Sequence, residues 1–169
     1  MAKEKVITED SKVAALIGKY LTFELKQETY GLDVMKIMQI IGIPEITPIP
    51  RTPKFVKGVI NLRGKIIPVI DLRLKFEIEL EDYTEETAII VVDVKNADGD
   101  INIGIIVDRV SDVLDIHGKE IEITPSFGVE VNSEFILGMA KIQKKIITLL
   151  DINRILTSEE LVKLQKVEK

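Results

Sequence analysis

The chain has 169 residues, 46 % of them apolar and 30 % charged, which suits one compact domain or two small ones and is too apolar for a disordered chain. Its net charge of −5 argues against global attraction to nucleic acid or to an anionic membrane. It has no cysteine and a single histidine, His117, which excludes disulfides, thiolate chemistry and His-rich metal cages. The longest uncharged run, 37–44, is too short to span a bilayer, and the N-terminus does not read as a signal peptide, so the expectation is a cytoplasmic protein with no membrane insertion.

There are 28 Ile and 16 Val against 15 Leu, and β-branched side chains crowd a helix but fit a pleated sheet. Residues 1–18 are charged and weakly patterned, which predicts a mobile or short helical N-terminal arm. Alternation over 20–25 predicts a half-buried strand, 26–28 a turn, and 29–34 the return strand. The apolar spacing of 35–41 predicts a short helix, with a bulged strand as the alternative, and the three prolines of 46–53 predict extended edge or loop. Strands over 58–62 and 65–70 flank Arg63-Gly64 as a hairpin, and Asp71 stands where it can cap a helix over 72–76. Residues 77–86 carry six acids and no base, which reads as a solvated linker or, equally, as an acidic surface loop. An apolar run over 87–95 predicts a strand buried on both faces, 96–100 a turn, and 101–107 its return. A last hairpin covers 136–142 and 145–150, Asp151 precedes a short helix over 152–156, and Thr157 to Glu160 form a capping box for a final helix docked through Leu161 and Leu164.

The halves repeat. A shift of 80 places Gly58 on Gly138, Lys65-Ile66-Ile67 on Lys145-Ile146-Ile147 and Asp71 on Asp151, and a shift of 73 places Gly31 on Gly104 and Ile37 on Val110. Each half is of marginal size for a core of its own, so the expectation is two five-stranded barrels, one per half, packed over an apolar seam that leaves a groove.

No catalytic constellation, cofactor motif or metal site is readable. His117 sits in a turn-like segment without a nucleophile partner. The oxygen-rich 96–100 segment lacks the acids a calcium loop needs at its ends, and Gly64-Lys65 lacks the flanking residues of a phosphate loop. Arg51, Lys54, Lys57, Arg63 and Lys65 are five bases without an intervening acid, which reads as a docking patch or as scattered solvated charge. Arg63 beside the turn glycine offers a planar fork suited to carboxylates.

The run Gly58-Val59-Ile60-Asn61-Leu62-Arg63-Gly64-Lys65-Ile66-Ile67-Pro68-Val69-Ile70-Asp71-Leu72-Arg73 resembles the CheW family of bacterial chemotaxis coupling proteins. Tyr30-Gly31-Leu32-Asp33-Val34, the segment from Gly104 to Leu114 and Leu156-Thr157-Ser158-Glu159-Glu160 are similar too, so the likeness covers about 19–165. It implies a mainly β fold of two SH3-like five-stranded barrels with short helices and a C-terminal helix. The implied organisation is an arm (1–18), a CheW-like domain (19–156; repeats about 20–76 and 87–156, acidic linker 77–86) and a terminal helix (157–169). The resemblance implies a non-enzymatic adaptor without cofactor. Its partners would be the regulatory domain of the histidine kinase CheA and the cytoplasmic tip of methyl-accepting chemoreceptors, in arrays at the inner face of the membrane. Ile37, Gln39 and Gly58 match kinase-contacting positions, although Gln39 replaces an acid common there, and Arg63, Ala88, Val110 and Val113 match receptor-contacting ones. The alternatives are a regulatory-domain-like or CheV-like relative of the same fold, or a small-ligand or nucleic-acid barrel. The acidic charge and 5 % aromatic content disfavour nucleic acid.

Overall fold

A computed structural model describes residues 9–79, 82–95, 99–122, 135–157, 159–160 and 164. Helix α1 (Glu9–Leu16) leads into β1 (Gly18–Leu25) and β2 (Glu28–Asp33), and a 3-10 turn at Val34–Lys36 precedes β3 (Ile37–Gly42). The hairpin β4 (Val56–Leu62) and β5 (Lys65–Asp71) runs into the one-turn helix α2 (Leu72–Lys75). Then follow β6 (Ala88–Val94), β7 (Ile101–Val107), β8 (Arg109–Ile116), the two-residue β9 (Ile121–Glu122), β10 (Ile136–Ile142) and β11 (Lys145–Leu150).

Both later hairpins form where their turns and alternation put them. Arg63 and Gly64 take φ of 56° and 85°, the two left-handed positions of a tight two-residue turn, and the Asn61 side chain accepts from the Gly64 amide at 2.8 Å. Asp71 caps α2 by accepting from the Arg73 amide at 3.0 Å. The capping box also forms: Thr157 N–H donates to Glu160 Oε1 at 2.7 Å, and Glu160 N–H donates to Thr157 Oγ1 at 3.2 Å. Leu164 is buried, while Leu161 and 96–98 of the expected turn lie outside the described residues.

Three expectations are corrected. Of the two readings of 35–41 the bulged strand, not the helix, is found, because β-branched Ile37, Ile40 and Ile41 of 37–42 pair with β6, with a bulge at Met38. Residues 152–156 are turns, although Asp151 still accepts from the Asn153 amide at 3.0 Å. Strand β1 is buried on both faces, since it lies between β8 and β2 with Tyr20 in one core and Leu21, Phe23 and Leu25 in another.

The larger correction concerns the barrels. One sheet has the order β8-β1-β2-β11-β10-β9 and the other β3-β6-β7-β5-β4, so each takes strands from both repeats. The first half lends β1 and β2 to the second barrel, and the second half lends β6 and β7 to the first. Residues 77–86 therefore join α2 to β6 within one barrel. The repeat survives as a pseudo-two-fold. Parallel pairs Val69↔Gly104 and Leu149↔Gly31 correspond, as do bulges at 56–58 and 136–138. Exchange removes the marginal-size problem, because neither half needs a core of its own.

Three cores result. Ile60, Ile67, Val69, Ile89, Val91 and Ile106 fill the first barrel. Tyr20, Ile116, Ala140, Ile147 and Leu149 fill the second, where Leu16 of α1 also packs. The largest core lies between the sheets and draws Phe23, Leu25 and Leu32 from one and Ile90, Val92 and Ile105 from the other. A row of rings, Phe23–Tyr30, Tyr30–Phe76 and Phe76–Phe135, with centroids 5.8, 5.8 and 4.7 Å apart, adds to it.

Candidate protein-binding site

Strand β3 is an edge strand, and its pleat alternates between half-buried and exposed. Ile37 packs against the inter-sheet core, whereas Gln39, beyond the bulge, is half-buried and pairs with Val91 of the first barrel's core, so these two kinase-contact candidates lie on opposite faces of the sheet. Met35 in the turn before the strand, and Met38 and Ile40 along it, are 84, 58 and 44 % exposed. Sequence reading missed this apolar row; its only local signal was methionine where a half-buried strand usually places a polar residue. Gly58, the third candidate, is buried at φ 142°, and a Cβ there would collide with the Thr47 carbonyl. Thr47 and Val59 exchange backbone hydrogen bonds of 2.9 Å across this close approach, so Gly58 lets the Thr47 segment lie against β4.

The receptor-contact candidates occupy two barrels. Ala88 opens β6 in the first, paired with Gly42 and Val107. Val110 and Val113 lie on β8, the edge of the second, paired with Phe23 and Leu21 on either side of a bulge. Thr22 fills the bulge, its hydroxyl donating to the Asp112 carbonyl at 2.9 Å and accepting from the Asp112 amide at 3.0 Å. Val113 is 53 % exposed and corresponds to Ile40 under the shift of 73, so each edge strand presents an exposed apolar side chain at the matching place, on β8 among the exposed charges Arg109, Asp112 and Asp115.

Arg63 is exposed and lines a cleft of about 350 Å³ with Gln39, Met38, Lys65 and Asn102. Ala88, Val110 and Val113 are not walls of that cleft. The five bases also separate, since Lys54 and Lys57 line a different cleft, about 710 Å³, beside Asp71, Arg73 and Tyr83. His117 is an exposed turn residue whose amide donates to Glu120 Oε1 at 2.9 Å. Among the described residues no group of three or more His, Cys, Asp or Glu could hold a metal ion, and no helix is long and apolar enough to cross a membrane.

A buried ion-pair network at the junction between the sheets was not read from the sequence. Arg73 is 2 % exposed and holds Asp71 with two prongs, Nε to Oδ1 at 3.1 Å and Nη2 to Oδ2 at 2.9 Å. Its Nη1 donates to Asp108 Oδ1 at 3.1 Å, and its guanidinium lies 5.5 Å from the Tyr83 ring centroid. Hydrogen bonding to Asp71 raises the Arg73 pKa above its ordinary value; burial opposes this, and the charges of Asp71 and Asp108 add to it. Asp71-Leu72-Arg73 gives no local signal of this network, because arginine is rarely buried and a base after a capped apolar run is ordinarily solvated.

The CheW-like domain family matches residues 19–160. The chain belongs to this family. It is 40 % identical over 151 residues to the chemotaxis protein CheW of Klebsiella aerogenes, covering 89 % of each chain, and 32 % identical over 148 residues to that of Treponema pallidum, covering 85 % of each. Among solved structures, the scaffolding protein TtCheW from Thermoanaerobacter tengcongensis matches with a TM-score of 0.75 and 34 % identity, over 86 % of this chain and 96 % of that one. The two sheets are the two SH3-like barrels of this family.

Proposed function

We propose that this member of the CheW family is a chemotaxis coupling adaptor that binds the regulatory domain of CheA and the cytoplasmic tip of chemoreceptors. It works in the cytoplasm, at arrays on the inner face of the membrane, and by binding rather than turnover. The observation that carries this reading is the pair of edge strands, β3 and β8, each presenting an exposed apolar side chain, Ile40 and Val113, at matching places on two barrels packed through one core.

The kinase side belongs to the first barrel. Met35, Met38 and Ile40 supply apolar area, Ile37 and Gln39 hold β3 against β6, and Gly58 admits the Thr47-Pro48 segment close to β4. The receptor side is the groove between Ala88 on one barrel and Val110 and Val113 on the other, a form that suits a helical hairpin tip. Arg63, whose cleft is shared with Gln39 on the first barrel, is assigned to the receptor on the family likeness, and its planar fork suits a partner's carboxylate.

A pull-down of the chain with purified kinase regulatory domain and receptor signalling fragment, each alone and both together, tests this. Capture of each alone and of both at once is expected. Failure to capture either one refutes the adaptor reading. Arg63→Glu is expected to leave the fold intact and weaken receptor-dependent kinase activation; undiminished activation would remove Arg63 from the site.

A further inference from the structure

Asp108 is the single residue between β7, in the first barrel, and β8, in the second. It is the point where the chain crosses the junction, and both its carboxylate oxygens are engaged. Oδ1 accepts from Arg73 at 3.1 Å, on the α2 side of the first barrel, and Oδ2 accepts from the Lys26 amide at 2.6 Å, in the β1–β2 turn of the second. Its own amide donates to the Glu24 carbonyl at 3.0 Å. One carboxylate thus ties both barrels to the crossover.

The pseudo-two-fold supplies an internal control. The shift of 80 places Asn153 on Arg73, and there Asn153 Oδ1 accepts directly from the Lys95 amide at 2.8 Å, while Asp151, the equivalent of Asp71, pairs at 3.7 Å with the exposed Arg154 instead of a buried arginine. A fold that needed only to close could have used the neutral version on both sides. The charged version sits on the side whose crossover carries Val110, two residues beyond Asp108, and Val107, the pairing partner of Ala88.

We infer that Arg73 and Asp108 form a latch that fixes the angle between the barrels and so positions the groove walls carried by Ala88 and Val110. Both are positioning residues that touch no partner. The groove's role rests on the receptor reading above, whereas the latch itself does not.

The absence of cysteine allows spin labels at Lys65→Cys and Lys145→Cys, equivalent exposed positions at the hairpins of the two barrels. Asp108→Asn removes the charge and keeps the shape; with its side chain 22 % exposed, the variant is expected to fold. The inter-label distance distribution should broaden, and affinity for the receptor fragment should fall about tenfold, with affinity for the kinase regulatory domain changed less than twofold. Asp108→Glu should recover most of the receptor binding. Ile89→Val, a truncation inside the first barrel, is the control for lost stability and should change neither readout. Arg73→Lys keeps the charge and drops the fork, and serves if Asp108→Asn does not fold. Unchanged label distances in the Asp108 or Arg73 variant overturn the latch, as does Ile89→Val reproducing both effects. If the wild-type chain binds no receptor fragment, the receptor reading fails, and the label distances still decide the latch.

Discussion

The exchange of strands between barrels makes Gly104 the tightest close approach at a described glycine in the sheets' parallel seams, and substitution there measures how tightly the repeats interlock. Gly104 on β7 sits between β6 and β5, and a Cβ would lie 2.8 Å from Ile89 Cγ2 and 3.3 Å from Val69 Cγ2. Both neighbours are fully buried β-branched residues with little rotamer freedom to give way. Overpacking of this kind costs about 1–3 kcal/mol. Against it, Gly→Ala removes freedom from the unfolded chain and contributes roughly 0.4–1 kcal/mol of stability. The clash wins, and Gly104→Ala should be destabilised by about 1–2 kcal/mol. Gly31 is the equivalent position on β2, but there the nearest atoms are Leu149 Cδ2 at 3.2 Å and Ile147 Cγ2 at 3.3 Å. Leu149 can turn aside, so the opposing effects should nearly cancel in Gly31→Ala, to within about 1 kcal/mol. Urea unfolding followed by far-UV circular dichroism reads both variants, and the midpoint temperature of Gly104→Ala should fall by about 2–4 °C per kcal/mol. A Gly104→Ala variant as stable as wild type, or a Gly31→Ala variant that loses more, would refute the packing argument.

Glu160 is held below the ordinary carboxylate pKa: burial pushes it up, but hydrogen bonds from Lys75, at 2.8 and 3.0 Å, and from the Thr157 amide outweigh burial. A depressed carboxylate stabilises the fold above its unfolded pKa and loses that contribution as pH falls through the folded value. Glu160→Gln keeps a capping-box residue and removes the ion pair, so it should cost roughly 0.5–1 kcal/mol at neutral pH. That difference should vanish in acid; a difference constant with pH in urea melts would contradict it. Burial, aided by the charge of Asp33, pushes the Tyr20 phenol up to about 12, and its hydroxyl donates to the Leu16 carbonyl at 2.8 Å. An ultraviolet titration should show the last of the three tyrosines ionising near pH 12, with stability falling as pH rises from about 10 through that value. All three ionising together near 10 would refute the buried placement.

What was legible in the sequence was local. The β4–β5 and β10–β11 hairpins depend on a two-residue turn between alternating runs, and the caps at Asp71 and Thr157 on side chains a few residues from their partners. The apolar seam followed from the repeat, because halves of that size must share burial. Strand exchange was not legible: β1–β2 and β6–β7 carry the same alternation whichever barrel receives them. For β3 the spacing favoured a helix and left the bulged strand, which forms, as the alternative, because the bulge at Met38 shifts the alternation and imitates helical spacing. At the candidate site, a family likeness nominated Ile37, Gln39 and Gly58, whereas the exposure of Met38 and Ile40 on β3 emerged only in the folded strand. The Arg73–Asp108 contact spans 35 residues, and no local pattern announces such a pair.

Reconstitution tests the central claim most directly. Receptor signalling fragments on vesicles and CheA are assayed for kinase autophosphorylation with and without this chain. The account predicts that kinase activity becomes receptor-dependent only when the chain is present and that Arg63→Glu weakens that dependence. Receptor control that is the same without the chain, or absent with it, would contradict the account.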